Sequence, residues 1–467
     1  MTLPDQAGTS GVTTSHPTGG DVIPLRQATR TWFSISLQTF GGPAGQIAVM
    51  QHKLVDEKRW IGQQRFLHAL NYCMLLPGPE AQQLAIYTGW LLNGTLGGLI
   101  AGTLFVLPGV VALLALSAVY VRFGDSTTVT ALFAGLAPAV IAIVVQAVYR
   151  VGKRSLTHPG LVALAVASFL ALALIGIPFP VVVFAAGLLG WLLARRVPEL
   201  TRRKNQQASD GPPPLISDEA LHHDLPSRRR LLTITVGGIA LWLTPVAAVA
   251  ALAPAAGTHV FVDQGLFFSG TALITFGGAY AVLAYVAQQA VNVYHWLVPG
   301  EMVRGLALAE TTPGPLIMVV QFVAFIGAYH NPGNLNPWIA AALASLLVTW
   351  VTFVPCFLLV FLGAPYVERL RNNHHLTAAL TGITAAVVGV IANLALFFAL
   401  HNLFADTHLV TAGPLNLQLP VLATWKPAEF ALTAVALAAM FWRGWSTVRT
   451  LGLCALLGLA ITVAGLT

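Results

Sequence analysis

The chain of 467 residues is 56% hydrophobic and only 9% charged, with a mean hydropathy of +0.75, whereas soluble domains carry roughly 25% charged residues. That composition excludes a soluble globular protein and predicts an all-α polytopic membrane protein. The formal charge of +7 does not mark a nucleic-acid binder, because Lys and Arg gather in a few loops, as cytoplasmic loops require. Cys73, Cys356 and Cys454 stand singly in apolar segments, which argues against a disulfide framework or a thiolate metal site.

Residues 1–29 open on a polar stretch rich in Gly, Thr, Ser and Pro, without the basic start and apolar run of a signal peptide. They are expected to form a disordered cytoplasmic tail. Thirteen apolar segments follow, near 30–50, 66–92, 95–120, 128–149, 160–177, 179–195, 231–253, 265–290, 303–328, 338–363, 377–401, 428–446 and 449–466. Most reach the ~20 residues that cross hydrocarbon. The expected domains are an N-terminal transport repeat at 30–195, a polar basic cytoplasmic linker at 196–230, an unpaired connecting helix and loop at 231–264, and a C-terminal transport repeat at 265–467.

The second segment is broken at Pro77-Gly78-Pro79. Proline removes a donor and clashes with the preceding turn, so one helix should stop near Leu76 and another start at Pro79. At membrane depth such a break persists only where protein or a watery cavity satisfies the freed groups, and there transporters bind cargo. The device occurs twice. Thr275-Phe276-Gly277-Gly278 repeats Thr39-Phe40-Gly41-Gly42, Trp296 repeats Trp60, and Pro313-Gly314-Pro315 repeats Pro77-Gly78-Pro79; 277 − 41, 296 − 60 and 313 − 77 all equal 236. The common offset reads as an internal duplication.

A cytoplasmic linker also puts Arg150, Lys153 and Arg154, then Arg369 and Arg371, then Arg443 and Arg449 inside. The seventh segment lacks a partner in the first half, so the second repeat enters from the opposite side and the repeats are inverted. The N-terminus is then cytoplasmic and the C-terminus external, as expected of a multi-pass protein of a bacterial inner membrane. Residues 51–65 have a basic excess, with Lys53, Lys58, Arg59 and Arg65, yet lie outside if the first two segments cross fully. Re-entrant segments return that loop to the cytoplasm; full crossing and re-entry both remain open here.

Helices restarting at Pro79 and Pro43, and their counterparts after Gly277-Gly278 and Pro315, present amides without intrahelical partners. Such ends attract anions, and four of them are expected to face one midplane cavity. Gly and Pro also kink packed helices, but the in-register duplication favours the functional reading. Glu80 and Glu310 flank the breaks at non-equivalent positions and are candidates for proton coupling; a helix-start acid serving the dipole is the plainer role for Glu80. Gln82, Gln83 and Gln321, polar in the apolar helices that follow the breaks, suit neutral oxyanion donors or interhelical hydrogen bonds, with packing the plainer role; Gln82 is the one carried forward as a candidate site residue. Gln146 and Asn393 read as structural. Lys53, Lys58 and Arg59 could gather anions at the cytoplasmic mouth, and Trp60 and Trp296 read as interface anchors. The His222-His223 and His374-His375 pairs lack metal-ligand spacing and are expected to be solvated. No Walker loop, nucleophile elbow or zinc-protease helix occurs, so neither an enzyme nor a cofactor or metal site is expected, and a secondary transporter is what remains.

At FGGPAGQIAVMQ (40–51), Lys58-Arg59-Trp60, LNYCMLLPGPEAQQLAIYTGW (70–90), TFGGAYAVL (275–283) and ETTPGPLIMVV (310–320) the chain resembles the chromate ion transporter family in its long, two-domain bacterial form. The resemblance covers Arg30 to Thr467 apart from the linker. It implies movement of chromate, with the isostructural sulfate as a further cargo, efflux that confers chromate resistance, and use of the proton-motive force. The family's motif residues fall on Gly41, Gly42, Pro43, Pro77, Gly78 and Pro79, and on Gly277, Gly278, Pro313, Gly314 and Pro315. Ala279 departs from the pattern, standing where the first half has Pro43. Uptake or exchange of sulfate or another tetrahedral oxyanion is the alternative within transport, and a membrane sensor or scaffold the alternative of another class. Homo-oligomerisation is left open.

Overall fold

The computed structural model describes residues 23–40, 42–124, 126–197, 214–216, 227–276, 278–298, 300–364, 374–413 and 415–465. Residues 1–22 of the tail, most of the linker, Arg369, Arg371 and His222-His223 lie outside them, as does the side chain of His374; Leu25 to Thr29, expected in the tail, instead form the start of the first helix. The first repeat runs α1 (Leu25–Ser36), α2 (Gly42–Gln51), α3 (Gln63–Cys73), α4 (Glu80–Phe123), α5 (Thr127–Ser155), α6 (Pro159–Leu170) and α7 (Phe179–Arg196). After α8 (Arg228–Ala256) come α9 (Val260–Ile274), α10 (Ala279–Gln288), α11 (Glu301–Thr311), α12 (Val319–His330), α13 (Pro337–Gly363), α14 (His374–Leu403), a β-hairpin of β1 (Thr407–Ala412) and β2 (Leu415–Pro420), α15 (Pro427–Phe441) and α16 (Thr447–Val463). Six of these helices, α4, α5, α7, α8, α13 and α14, are long and apolar enough to cross a membrane. The fold is an all-α polytopic one, with the small hairpin as the departure that the sequence reading did not anticipate.

The long α4 is two helices. Asn93 (φ −137, ψ 29) and Gly94 (φ 60, ψ −156) leave helical geometry, and the chain reverses there. A Cβ on Gly89 would fall 2.5 Å from the Gly97 carbonyl oxygen, whereas a straight helix puts residues so spaced about 12 Å apart. The short arm, α1, α2 and α3 are each of a length, roughly 15–20 Å, that fails to span about 30 Å of hydrocarbon.

Hydrogen bonds show where these short helices begin and end. Asn93 donates to the Ile23 carbonyl at 2.6 Å, Leu215 N–H to the Arg59 carbonyl at 2.7 Å, and Arg230 to the Thr95 hydroxyl at 3.4 Å. The start of α1, the loop before α3, the turn in α4, Leu215 within the linker and Arg230 at its end therefore share one end of the bundle. α1–α2 and α3 with the short arm of α4 each dip in and return, which is the re-entrant arrangement. At the opposite end Thr258 donates to the Asn331 carbonyl at 3.2 Å and Asn334 to the Ala255 carbonyl at 3.1 Å, and α9–α10 and α11–α12 repeat the two dips from that side.

The duplication extends to backbone detail. A π-helical turn follows α2 at His52–Glu57 and α10 at Gln289–Val293. Arg59 and His295 both take φ 52, and Trp60 and Trp296 donate to the Leu54 and Ala290 carbonyls at 2.9 and 2.8 Å. Both tryptophans are buried within the helical packing, Trp296 against Phe267, Phe268 and Tyr294, rather than standing at the surface as interface anchors do. The halves interlock: α7 packs on α14 where Gly190 meets Gly382, and α16 packs on α5 where Gly458 meets Gly135. Small residues let helices approach closely where lipid supplies no hydrophobic drive.

Candidate functional site

Three of the four helix starts face one cavity of about 200 Å³. Pro43 and Ala44 bring α2 to it, Glu80 brings α4, and Gly278, Ala279 and Tyr280 bring α10. Among the described residues no side chain caps α4 or α10, so their first-turn amides remain available and their dipoles point positive ends at the cavity. The opposite wall is α5, which contributes Gln146, Arg150 and Arg154 one turn apart. Arg150 donates to Gln146 Oε1 at 2.7 Å, holding its guanidinium along that face. Arg154, Ser155 and Thr447 put the mouth at the linker end.

The fourth start, after Pro315, is closed. Leu316 is buried, the Gly314 carbonyl accepts from Gln46 Nε2 at 2.5 Å, and the Pro313 carbonyl lies against Gly109. Both Pro-Gly-Pro breaks are spent on the partner repeat: Gly78 N–H donates to the Thr275 carbonyl at 2.8 Å and Gly314 N–H to the Thr39 carbonyl at 3.0 Å. Gln83 donates to the Pro77 carbonyl at 2.7 Å. Pro77, Gly78, Pro79, Pro313, Gly314 and Pro315 thus stand behind the cavity and shape it, rather than lining it. Gln82 is fully buried and, among the described residues, neither of its side-chain polar atoms has a hydrogen-bond partner; it too lies off the wall. Gly42 starts α2; Gly41 and Gly277 lie outside the described residues.

Glu310 sits one layer back. It is buried, and the Tyr280 hydroxyl donates to its Oε1 at 2.5 Å, so Tyr280 separates it from the cavity. Lys53 and Lys58 are not on the wall. Both engage Glu57, at 2.5 and 3.6 Å, and Lys53 holds that carboxyl below the usual carboxylate range. Arg59 is exposed in the same loop. The cations that do face the cavity, Arg150 and Arg154, entered the sequence reading only as topology markers. The recurrence of Gln146, Arg150 and Arg154 every four residues at the end of an apolar helix is the signal that could have found them. A second cavity, at the other end, carries Asn393 with Gln288, Asn292 and Gln418. Gln146 and Asn393 therefore line the two cavities instead of serving packing alone. Among the described residues, no group of His, Cys, Asp or Glu is arranged to hold a metal, and Trp191 donates to His375 Nδ1 at 3.0 Å.

The arrangement converges positive helix ends and two arginines on a small cavity inside a chain of inverted repeats, which suits a small oxyanion. The sequence profile of the chromate transporter family matches residues 26–191 and 262–459. The chain is 32% identical over 372 residues to a chromate transport protein of Pseudomonas aeruginosa, covering 77% of each. It is 28% identical to a chromate transport protein of Cupriavidus metallidurans, over 81% of this chain and 84% of that one, and 25% identical to a probable chromate transport protein of Synechococcus elongatus, over 90% and 96%. No solved structure matches the chain. With both repeats matched, the chain belongs to the chromate transporter family.

Proposed function

We propose that this protein is a secondary transporter that carries chromate out of the cytoplasm across the bacterial inner membrane and thereby confers chromate resistance. The observation that carries the reading is the cavity where the starts of α2, α4 and α10 face Arg150 and Arg154. Amide donors and guanidinium groups satisfy a tetrahedral dianion through charge-assisted hydrogen bonds, and Arg matches an oxyanion better than a point charge does. Relatives named as chromate transport proteins supply the cargo.

Arg150, Lys153, Arg154, Arg228, Arg229, Arg230, Arg443 and Arg449 lie toward one end of the bundle, and the positive-inside rule assigns that end to the cytoplasm. The cavity mouth then faces inward, the state in which an exporter loads. Inverted repeats interconvert such a state with its outward counterpart by exchanging the conformations of the two halves. Export and the proton-motive drive rest on the family resemblance, and sulfate is the cargo to be tested against chromate.

Radiolabelled chromate flux into inside-out membrane vesicles, with an imposed proton gradient, tests the reading. Gradient-dependent accumulation that Arg150→Gln lowers at limiting chromate supports it. Sulfate that abolishes the flux at equal concentration makes the protein a general oxyanion carrier, and no flux in wild type refutes transport.

A further inference from the structure

The Tyr280 hydroxyl has a single proton to donate, and two acceptors compete for it. One is Glu310, at 2.5 Å. The other is whatever anion occupies the cavity, because Tyr280 lies on its wall in the first turn of α10, beside the free amides of that helix. We propose that Tyr280 couples oxyanion binding to protonation: its hydroxyl serves Glu310 in the absence of an anion and turns to the oxyanion when one binds, and Glu310 then takes up one proton. The inference rests on the cavity being the oxyanion site.

The chemistry follows from burial. Among the described residues Glu310 has Tyr280 as its hydrogen-bond partner, and a carboxylate that loses its donor in a buried site is left with the full desolvation cost of its charge. It relieves that cost by taking a proton from hydronium or a buffer acid through the cavity. The neutral acid then donates its O–H to Tyr280 Oη, and the chain runs Glu310 to Tyr280 to oxyanion. One O–H bond forms on Glu310, Tyr280 stays neutral throughout, and the protein gains one proton for each anion bound.

The duplication shows that the pair is not a packing requirement. At the same offset, 280 − 44 = 236 and 310 − 74 = 236, the first repeat has Ala44 and Met74, both on the wall of this cavity. The first repeat builds the same pair of breaks with an alanine and a methionine at these positions, so the phenol and carboxyl of the second repeat are added chemistry. Of the charged groups on the elements packed against α11, Arg150 and Arg154 of α5 and Glu80 of α4 line the cavity that Tyr280 faces. Lys153 of α5 and Arg449 of α16 are exposed at the linker end, and Arg122 of α4 and His330 of α12 lie toward the other end.

The test is proton uptake on chromate binding by the purified full-length protein in weakly buffered detergent, read with a pH dye, with binding followed separately by radiolabel. Glu310→Gln keeps the size and the donor to Tyr280 but cannot titrate, so subtracting its signal removes chromate's own protonation. Wild type should take up about one proton more per bound anion than Glu310→Gln, which should still bind. Tyr280→Phe should bind roughly tenfold more weakly, the loss of one hydrogen bond to a charged group, with no excess uptake. Equal uptake by wild type and Glu310→Gln, with binding intact, overturns the coupling, as does a Tyr280→Phe protein that behaves as wild type. No chromate binding by wild type overturns the oxyanion site itself, and this inference with it.

Discussion

The Gly78 amide donates to the Thr275 carbonyl at 2.8 Å, so the break in one repeat is closed by the other. Gly314 and Thr39 repeat the bond in mirror fashion, at 3.0 Å. A broken helix frees backbone groups that lipid cannot satisfy, and here each half satisfies its partner's. The pair of bonds ties both breaks to the starts of α2 and α10, two of the three helices whose starts face the cavity.

Replacing Gly78 should therefore disable the protein although it does not line the cavity. Its φ is +123, and a Cβ would lie 2.9 Å from Cys356 Sγ. Backbone strain of this kind costs about 1–3 kcal/mol, before the clash is added. Gly78→Ala should lower chromate flux in inside-out vesicles at least tenfold at equal membrane expression. A variant with wild-type flux would show that the crossing tolerates movement.

The cations on the cavity wall should matter more than those in the loop. A hydrogen bond to a charged group is worth about 1.5–3 kcal/mol, so Arg150→Gln and Arg154→Gln should each raise the chromate concentration for half-maximal flux roughly tenfold to a hundredfold. Lys53 and Lys58 already engage Glu57, so Lys53→Gln should change it less than about threefold, a loss of the size expected for a surface pair. The ranking is checked by concentration dependence in the same vesicles, and a larger effect at Lys53 than at Arg150 would move the site to the loop.

Much of this architecture was legible in the sequence because Gly, Pro and Trp fix backbone and packing in ways that a duplication preserves. The offset of 236 between Gly78 and Gly314 located both breaks. It did not reveal that each break docks on the other half, because a hydrogen bond from Gly78 to Thr275 joins residues that no local pattern relates. Arg150 and Arg154 were read as topology markers for a similar reason: an arginine at a helix end satisfies the positive-inside rule whether or not a cavity opens beside it. Tyr280 carries no local signal, because its pairing with Glu310 joins two different helices. The π-helical turns at His52–Glu57 and Gln289–Val293 carry no proline or glycine to announce them.

Single cysteines and a membrane-impermeant thiol reagent test the re-entrant arrangement. The native cysteines are buried, which keeps the background low. Lys58→Cys and Thr95→Cys share the linker end through the Arg59–Leu215 and Arg230–Thr95 hydrogen bonds, so both should label in inside-out vesicles and resist reagent in intact cells. Asn334→Cys, near Ala255, should show the reverse. Labelling of Lys58→Cys from outside intact cells would require the first segment to cross fully.

The interlock of the halves makes one further prediction, in which two effects of the same substitution have opposite sign. Gly→Ala inside a helix gains about 1 kcal/mol of intrinsic propensity, while overpacking a close contact costs about 1–3 kcal/mol. Gly452 of α16 has open space where its Cβ would go, whereas a Cβ on Gly382 would sit 2.3 Å from the Ala186 carbonyl oxygen and 2.6 Å from the Gly190 Cα. Both neighbours of Gly382 are backbone and cannot turn aside. Gly452→Ala should leave the thermal midpoint of the detergent-solubilised protein unchanged or raised, and Gly382→Ala should lower it. Gly190→Ala, on the facing helix, should lower it as well, and the double variant should fall by less than the sum of the two, because either methyl alone already forces α7 and α14 apart. Full additivity would mean that the helices adjust independently at the two positions and that the glycine crossing does not set their distance.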